Sequence, residues 1–351
     1  MCDLLRKKII YRYIIGDMDG IVGKINQHKN TFNYNYLDNL PDTQDIISKN
    51  LLEKLDDLPI AKYRGSIGII YTSSYKNNTI AIKVLSKETN KKIRSETVAL
   101  NLIGSLKSNY LNSVNDMVET LEKETNMEFE YKNCKNIHKY LDNNIYGVEF
   151  LKPIDELCNK NEFVYCFEEA IPIIEIKTKL SKNKINDICK RFVLFHIDTI
   201  HNKNILFGDI NIGNILYNIN TDKIIVIDYG CVVSLNTQQK QFKTRLHLSQ
   251  RSYESLSRDI KEWKGSDKFT DMLYKQGRPF FDMSGLKYDF SKTKLSISMF
   301  DTSLLKLDLP TNSMLIIRSF SQLSQFLKLM EIIDNYAMEI YEIVDLNIKT
   351  Y

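Results

Sequence analysis

The spacing of apolar positions changes several times along the chain. In residues 1–60, Ile14, Met18, Ile21, Val22 and Ile25 recur at helical spacing, with Gly16, Gly20 and Gly23 between them. That period predicts an amphipathic helix in a polar segment, where the glycines let another backbone approach closely. From residue 61 the period shortens. Ser66-Ile-Gly-Ile-Ile-Tyr-Thr reads as a strand, Lys76-Asn77-Asn78 as a tight turn, and Thr79-Ile-Ala-Ile-Lys-Val as the returning strand of a hairpin. Residues 92–142 return to helical spacing, with Leu111, Val114, Val118 and Leu121 on one stripe and Cys134, Ile137 and Leu141 on another. A short β segment follows at Glu162-Phe-Val-Tyr-Cys-Phe, then a helix over 183–202 with Ile185, Ile188, Phe192, Phe195 and Thr199 on one side. Two short strands, Ile215-Leu-Tyr and Ile224-Ile-Val-Ile, flank a turn from Asn218 to Lys223. The remainder reads as mostly helical, and its stripe Leu315, Ile316, Phe320, Leu323, Leu327 and Met330 reads as core packing.

This order predicts an α+β protein with a small β-containing lobe and a larger helical lobe. The expected division is a helical N-terminal extension over 1–60, a first lobe over 61–170 and a mostly helical second lobe over 171–351.

Bulk composition narrows the field only a little. A chain of 351 residues with 43% hydrophobic content can bury a sizeable interior. The formal charge of +4 comes from 48 basic and 44 acidic residues spread along the chain, so there is no concentrated basic face of the kind nucleic acids select. No apolar run approaches the ~18 residues that span a bilayer. The six cysteines form no C-x-x-C pair, which suits reduced thiols in a cytoplasmic compartment. The N-terminal MCDLLRKKIIYRYIIG is basic and apolar, which leaves a mitochondrial address open, although Asp3 and the absence of serine argue against one.

Chemistry concentrates in two stretches. The first is Gly208-Asp209-Ile-Asn-Ile-Gly-Asn214, followed across the short hairpin by Asp228-Tyr229-Gly230. Each half alone is what an ordinary turn carries. In this order they match the catalytic-loop and metal-loop arrangement of phosphoryl-transfer enzymes. Asp209 would orient the acceptor hydroxyl or take its proton, and Asn214 and Asp228 would hold Mg²⁺ against nucleotide phosphates. Gly230 would permit a tight turn after the metal ligand. The second stretch is Ala81-Ile-Lys83, a lone lysine on an apolar strand. Glu130 lies four, seven and eleven residues before Cys134, Ile137 and Leu141. That puts its carboxylate on a buried helix stripe, where Lys83 is the cation it would seek; Glu124 and Glu128 are the rivals. Lys24 and Gln27, three apart, share a helix face.

Other constellations carry less. Asp17-Met-Asp19-Gly20 lacks the remaining ligands of a calcium loop. His196 and His201 have no third ligand in view for zinc. Arg318 on the C-terminal stripe reads as half of a structural ion pair.

Taken together these residues resemble the UbiB-like atypical kinases, also called the ADCK family, over most of the chain. The family's K-x-G-Q element corresponds to Lys24-Ile25-Asn26-Gln27, and its nucleotide loop to Tyr63-Arg64-Gly65-Ser66-Ile67-Gly68. The lysine strand corresponds to Ile80-Ala81-Ile82-Lys83, and the glutamate helix to Glu124-Thr-Asn-Met-Glu-Phe-Glu130-Tyr. The hinge corresponds to Tyr165-Cys-Phe-Glu168-Glu169, the H-A-D-P-H-P-G-N loop to Phe207 through Asn214, and the D-F-G element to Asp228-Tyr229-Gly230. This chain departs from the pattern at Asn26, at Arg64 and Gly65 in place of an alanine-rich run, and at Phe207 and Asn211 in place of two histidines.

The resemblance implies a two-lobed kinase-like fold that binds ATP or ADP with Mg²⁺. Gly65, Ser66, Ile67, Gly68, Ala81, Lys83, Glu168, Lys24 and Gln27 would then contact nucleotide. It implies ATP hydrolysis or phosphoryl transfer to a small-molecule or lipid-related acceptor, with peripheral membrane contact as one setting; the spread charge already gave no reason to expect a nucleic acid partner. Gly65 in the former alanine-rich loop implies altered nucleotide selectivity or looser autoinhibition. Two other classes share parts of the pattern: an aminoglycoside- or choline-type phosphotransferase, and a pseudokinase that binds a partner without catalysis. Neither acceptor nor oligomeric state is written in the sequence.

Overall fold

The computed structural model describes residues 46–64, 68–85, 126–142, 144–282, 309–310 and 313–348. The extension predicted over 1–60 therefore lies largely outside the described residues, together with Lys24, Gln27, Gly65, Ser66, Ile67 and Glu124.

In chain order the elements are α1 (Lys49–Leu52), β1 (Ile60–Arg64), β2 (Gly68–Tyr75), β3 (Asn78–Leu85), α2 (Met127–Leu141), β4 (Val148–Phe150), β5 (Glu162–Cys166) and β6 (Ile171–Pro172). Then come α3 (Ile176–Lys179), α4 (Lys182–His201), β7 (Ile205–Phe207), β8 (Ile215–Asn218), β9 (Lys223–Val226) and β10 (Val232–Ser234). The chain closes with α5 (Thr237–Ser249), α6 (Tyr253–Glu262), α7 (Asp267–Phe281), α8 (Ser313–Leu329) and α9 (Ala337–Ile348). The described residues fall into two compact units, one within 1–135 and 152–168, the other within 136–151 and 169–351.

The first unit is built on an antiparallel sheet in the order β1-β2-β3-β5. Tyr75 pairs with Asn78, so the hairpin turn is the two residues Lys76 and Asn77, both at positive φ (50° and 62°). That backbone matches strand twist in two-residue hairpins. Ile69, Tyr71, Ile80, Ile82, Val84 and Val164 share a core with Ile47 and Leu51. The Glu162 side chain is wholly buried and accepts from Ser48 twice, at 2.6 Å from the backbone N–H and 3.1 Å from the hydroxyl. Ser48 also caps α1, so one buried carboxylate ties that helix to the sheet. Strand β1 was not foreseen. It lies at the sheet edge, its register slips between Ala61 and Tyr63, and Ile60 is 70% exposed, so it shows no inward-outward alternation to detect.

The second unit has a four-stranded sheet, β4-β9-β8-β6, and a two-stranded pair, β10-β7. Its helical part packs Leu206, Phe242, Leu246, Leu256, Ile260, Trp263, Leu273 and Ile316 into one core. Helix α4 buries Ile185, Ile188, Phe192 and Phe195, as its period requires. The turn between α2 and β4 depends on Gly147, which sits at φ +68°. A Cβ there would stand 2.7 Å from Arg191 Nη1. Arg191 is held in turn by the Tyr146 carbonyl and by the Asp222 carboxylate, the latter at 2.7 Å. Asp222 also accepts from Lys184 and Tyr217, which pins the β8–β9 hairpin. No helix among the described residues is long and apolar enough to cross a membrane.

Candidate functional site

In the first unit the centre is Lys83 on β3. Ile80, Ile82 and Val84 face the core described above, so alternation puts Ala81 and Lys83 on the opposite face. There Lys83 Nζ stands 2.6 Å from Glu130 Oε1, with both residues buried (8% and 4% exposed). Glu130 lies in the first turn of α2. Its rival Glu128 pairs instead with Lys132, in the open. Gly68 starts β2 where a Cβ would stand 3.0 Å from the Val84 carbonyl oxygen, so glycine allows the two strands to close on each other here. Glu168 is partly buried, 3.6 Å from Lys152 Nζ.

In the second unit, strand β7 delivers Gly208 and Asp209. The Gly208 N–H donates to the Cys231 carbonyl at 2.8 Å, and Phe207 pairs with Val232, so the Asp209 loop and the Asp228 loop are stitched together. A 3₁₀ turn over Ile212–Asn214 follows, capped by Asn211, whose side chain accepts from the Gly213 N–H. The Asn214 side-chain amide donates to the Asp209 backbone carbonyl at 3.3 Å, and the Asn214 backbone carbonyl accepts from the Ile227 N–H at 3.1 Å. A carbonyl can only accept, so the Asn214 amide nitrogen is the atom facing the Asp209 carbonyl and the amide oxygen points elsewhere as an acceptor. Asp228 Oδ1 accepts from the Gly230 N–H at 3.0 Å. Gly230 does not use the left-handed backbone open to glycine, since among the described glycines only Gly147 has positive φ; it serves by donating to Asp228. Tyr229 is fully buried. Its hydroxyl donates to the Val226 carbonyl and accepts from the Leu151 N–H at 2.7 Å.

The two histidine replacements have physical roles. Phe207 is buried and stacks on Phe150, with centroids 6.2 Å apart and planes 8° apart. Asn211 is the turn's cap. Sequence reasoning missed the partners of Asp209. The residue is 6% exposed, and its carboxylate is met by Arg318 Nη2 at 3.1 Å and Gln322 Nε2 at 2.7 Å, both to Oδ1. Arg318 and Gln322 are four residues apart on α8, a spacing that signals a shared face, but nothing local says what that face meets.

A family model described as the ABC1 atypical kinase-like domain matches residues 42–261. The chain belongs to the ABC1 atypical kinase-like family, which includes the UbiB and ADCK proteins. The fold agrees: this ABC1-family chain is similar to a solved structure of Rv3197 from Mycobacterium tuberculosis in complex with erythromycin. The TM-score is 0.61 at 17% identity, covering 83% of this chain and 77% of that one. No curated protein matches the sequence.

The residues present fit the nucleotide and metal that the family implies. One carboxylate and one amide oxygen, from Asp228 and Asn214, are the hard ligands Mg²⁺ takes beside phosphate oxygens and water. Among the described residues no group of three or more His, Cys, Asp or Glu is placed to hold a metal alone.

Proposed function

We propose that this chain is an ATP- and Mg²⁺-dependent phosphotransferase or ATPase whose acceptor is a small or lipid-related molecule. The observation that carries this reading is the buried Lys83–Glu130 pair. A buried ion pair costs desolvation that its own attraction seldom repays, so it is poor material for stability alone. An ammonium held rigid by a carboxylate on an otherwise apolar strand is what a phosphate-binding lysine requires. Glu130 orients Lys83, Lys83 contacts the nucleotide phosphates, and Asn214 and Asp228 hold Mg²⁺. When bound, Mg²⁺ neutralises charge on the phosphate oxygens. Asp209 orients the acceptor oxygen or takes its proton.

Gly68, Ala81 and Glu168 complete the nucleotide contacts, together with Gly65, Ser66 and Ile67, which precede Gly68 in the chain. Lys24 and Gln27 shape nucleotide preference. The solved neighbour's complex with erythromycin supports screening small molecules as acceptors.

The test is thermal unfolding with ATP and ADP, with and without Mg²⁺, on wild type and Asp228→Asn. A ligand at 100 times its dissociation constant stabilises by about 2.7 kcal/mol. A Mg²⁺-dependent shift in wild type that is lost in the variant is the expected result. No shift with any nucleotide would return the chain to the binding-module reading.

A further inference from the structure

Helix α8 brings two side chains to one oxygen of Asp209. Gln322 Nε2 donates to Oδ1 at 2.7 Å, and Arg318 Nη2 lies 3.1 Å from the same atom. The other end of the Gln322 amide, Oε1, accepts from the Ile210 N–H at 3.1 Å. Gln322 thus spans the Asp209 side chain and the next residue's backbone, which fixes which amide atom faces which way. The Arg318 side chain is 18% exposed and that of Asp209 4%. Water therefore competes little for these bonds, and charge-assisted hydrogen bonds are the stronger kind. Ile316, Leu323 and Leu327 are fully buried, so α8 cannot turn to withdraw Arg318 and Gln322 without exposing its apolar face.

Two side chains of one helix thus bear on the direction in which the Asp209 carboxylate points. We infer that Arg318 and Gln322 are positioning residues for Asp209: they hold the rotamer in which its carboxylate meets the acceptor oxygen. This rests on the reading of Asp209 given above. Phosphoryl transfer depends mainly on positioning and charge, so the lock acts on turnover and not on nucleotide affinity.

The experiment uses the full chain and measures MgATP hydrolysis, with melting temperature as the check on folding. The variants are Arg318→Lys, Gln322→Met, Asp209→Asn and the double variant Arg318→Lys/Asp209→Asn. Gln322→Met carries the test if Arg318→Lys fails to fold. Each single change at 318 or 322 is expected to lower kcat by ~10- to 100-fold and to leave KM within ~2-fold. In the Asp209→Asn background, Arg318→Lys should change the rate by less than ~2-fold, because residues acting as a unit are not additive. Equal losses in both backgrounds would overturn the inference, since Arg318 would then act without Asp209. Wild-type kcat in both single variants at 318 and 322, with turnover strongly reduced but measurable in Asp209→Asn, would sink the inference alone. Wild-type turnover in Asp209→Asn would sink the reading of Asp209 and this inference with it.

Discussion

The Tyr229 hydroxyl accepts the backbone N–H of Leu151 at 2.7 Å while donating to the Val226 carbonyl. Tyr229 sits between Asp228 and Gly230, so the residue beside the candidate metal ligand is tied to the ends of β4 and β9. A phenylalanine has no oxygen with which to make either bond. Tyr229→Phe removes the acceptor for a buried N–H, at a cost of about 1–3 kcal/mol. Urea denaturation should show a lower midpoint with an unchanged slope. The Mg²⁺-dependent part of the ATP-induced thermal shift should also shrink, because Asp228 is held less firmly.

Lys83 and Glu130 separate stability from function. Glu130→Ala leaves a buried lysine without its 2.6 Å partner, and breaking a buried pair costs about 3–5 kcal/mol. The double change Lys83→Met/Glu130→Leu should recover most of that loss, since apolar replacements of both members are often neutral. It should nevertheless abolish nucleotide-induced stabilisation. A double variant that still responds to MgATP would show that the lysine is not a phosphate ligand.

His196 makes the fold sensitive to acid. It is completely buried on α4 beside Phe320, with neither ring nitrogen hydrogen-bonded, and burial lowers its pKa from 6.5 to about 3. The folded state holds it neutral, while the unfolded chain protonates near 6.5. Its contribution is therefore complete above about pH 6.5 and is lost as pH falls towards 3, at up to about 1.4 kcal/mol per pH unit. His201 is shifted in the same direction, first by burial and then by His247 and Lys243. His196→Leu should flatten the acid limb of stability by one proton's slope and leave stability at pH 7 equal or higher. An unchanged slope in urea titrations from pH 4 to 7 would contradict this.

Gly147→Ala tests the hairpin's anchor. The residue has φ +68°, and the added carbon would meet Arg191 Nη1 at 2.7 Å. The backbone strain alone costs about 1–2 kcal/mol. Moving Arg191 also disturbs its bonds to Tyr146 and Asp222. The melting temperature should fall, and restoring the wild-type value would require glycine, not a smaller partner at 191.

The sequence alone singled out the candidate chemistry of this protein. The order Asp209, Asn214, Asp228 and the lone Lys83 are local patterns, because a loop proposed to hold phosphate or metal is recognised by particular side chains at short spacings. The β2–β3 hairpin and helix α4 were legible for a similar reason, since periods of 2 and 3.6 mark an element buried on one face. Glu130 was legible because its distance from Cys134 and Ile137 placed a carboxylate on a buried stripe. Strand β1 and the three-residue strands β4, β7 and β10 were not, being too short or too exposed to show a period. The partners of Asp209 lay further out of reach. Arg318 and Gln322 are more than a hundred residues away in the chain, and their helix has the same apolar stripe whichever carboxylate its polar face meets. Only packing decides that, because the burial of Ile316, Leu323 and Leu327 sets the rotation of α8, and the rotation sets what Arg318 and Gln322 can touch.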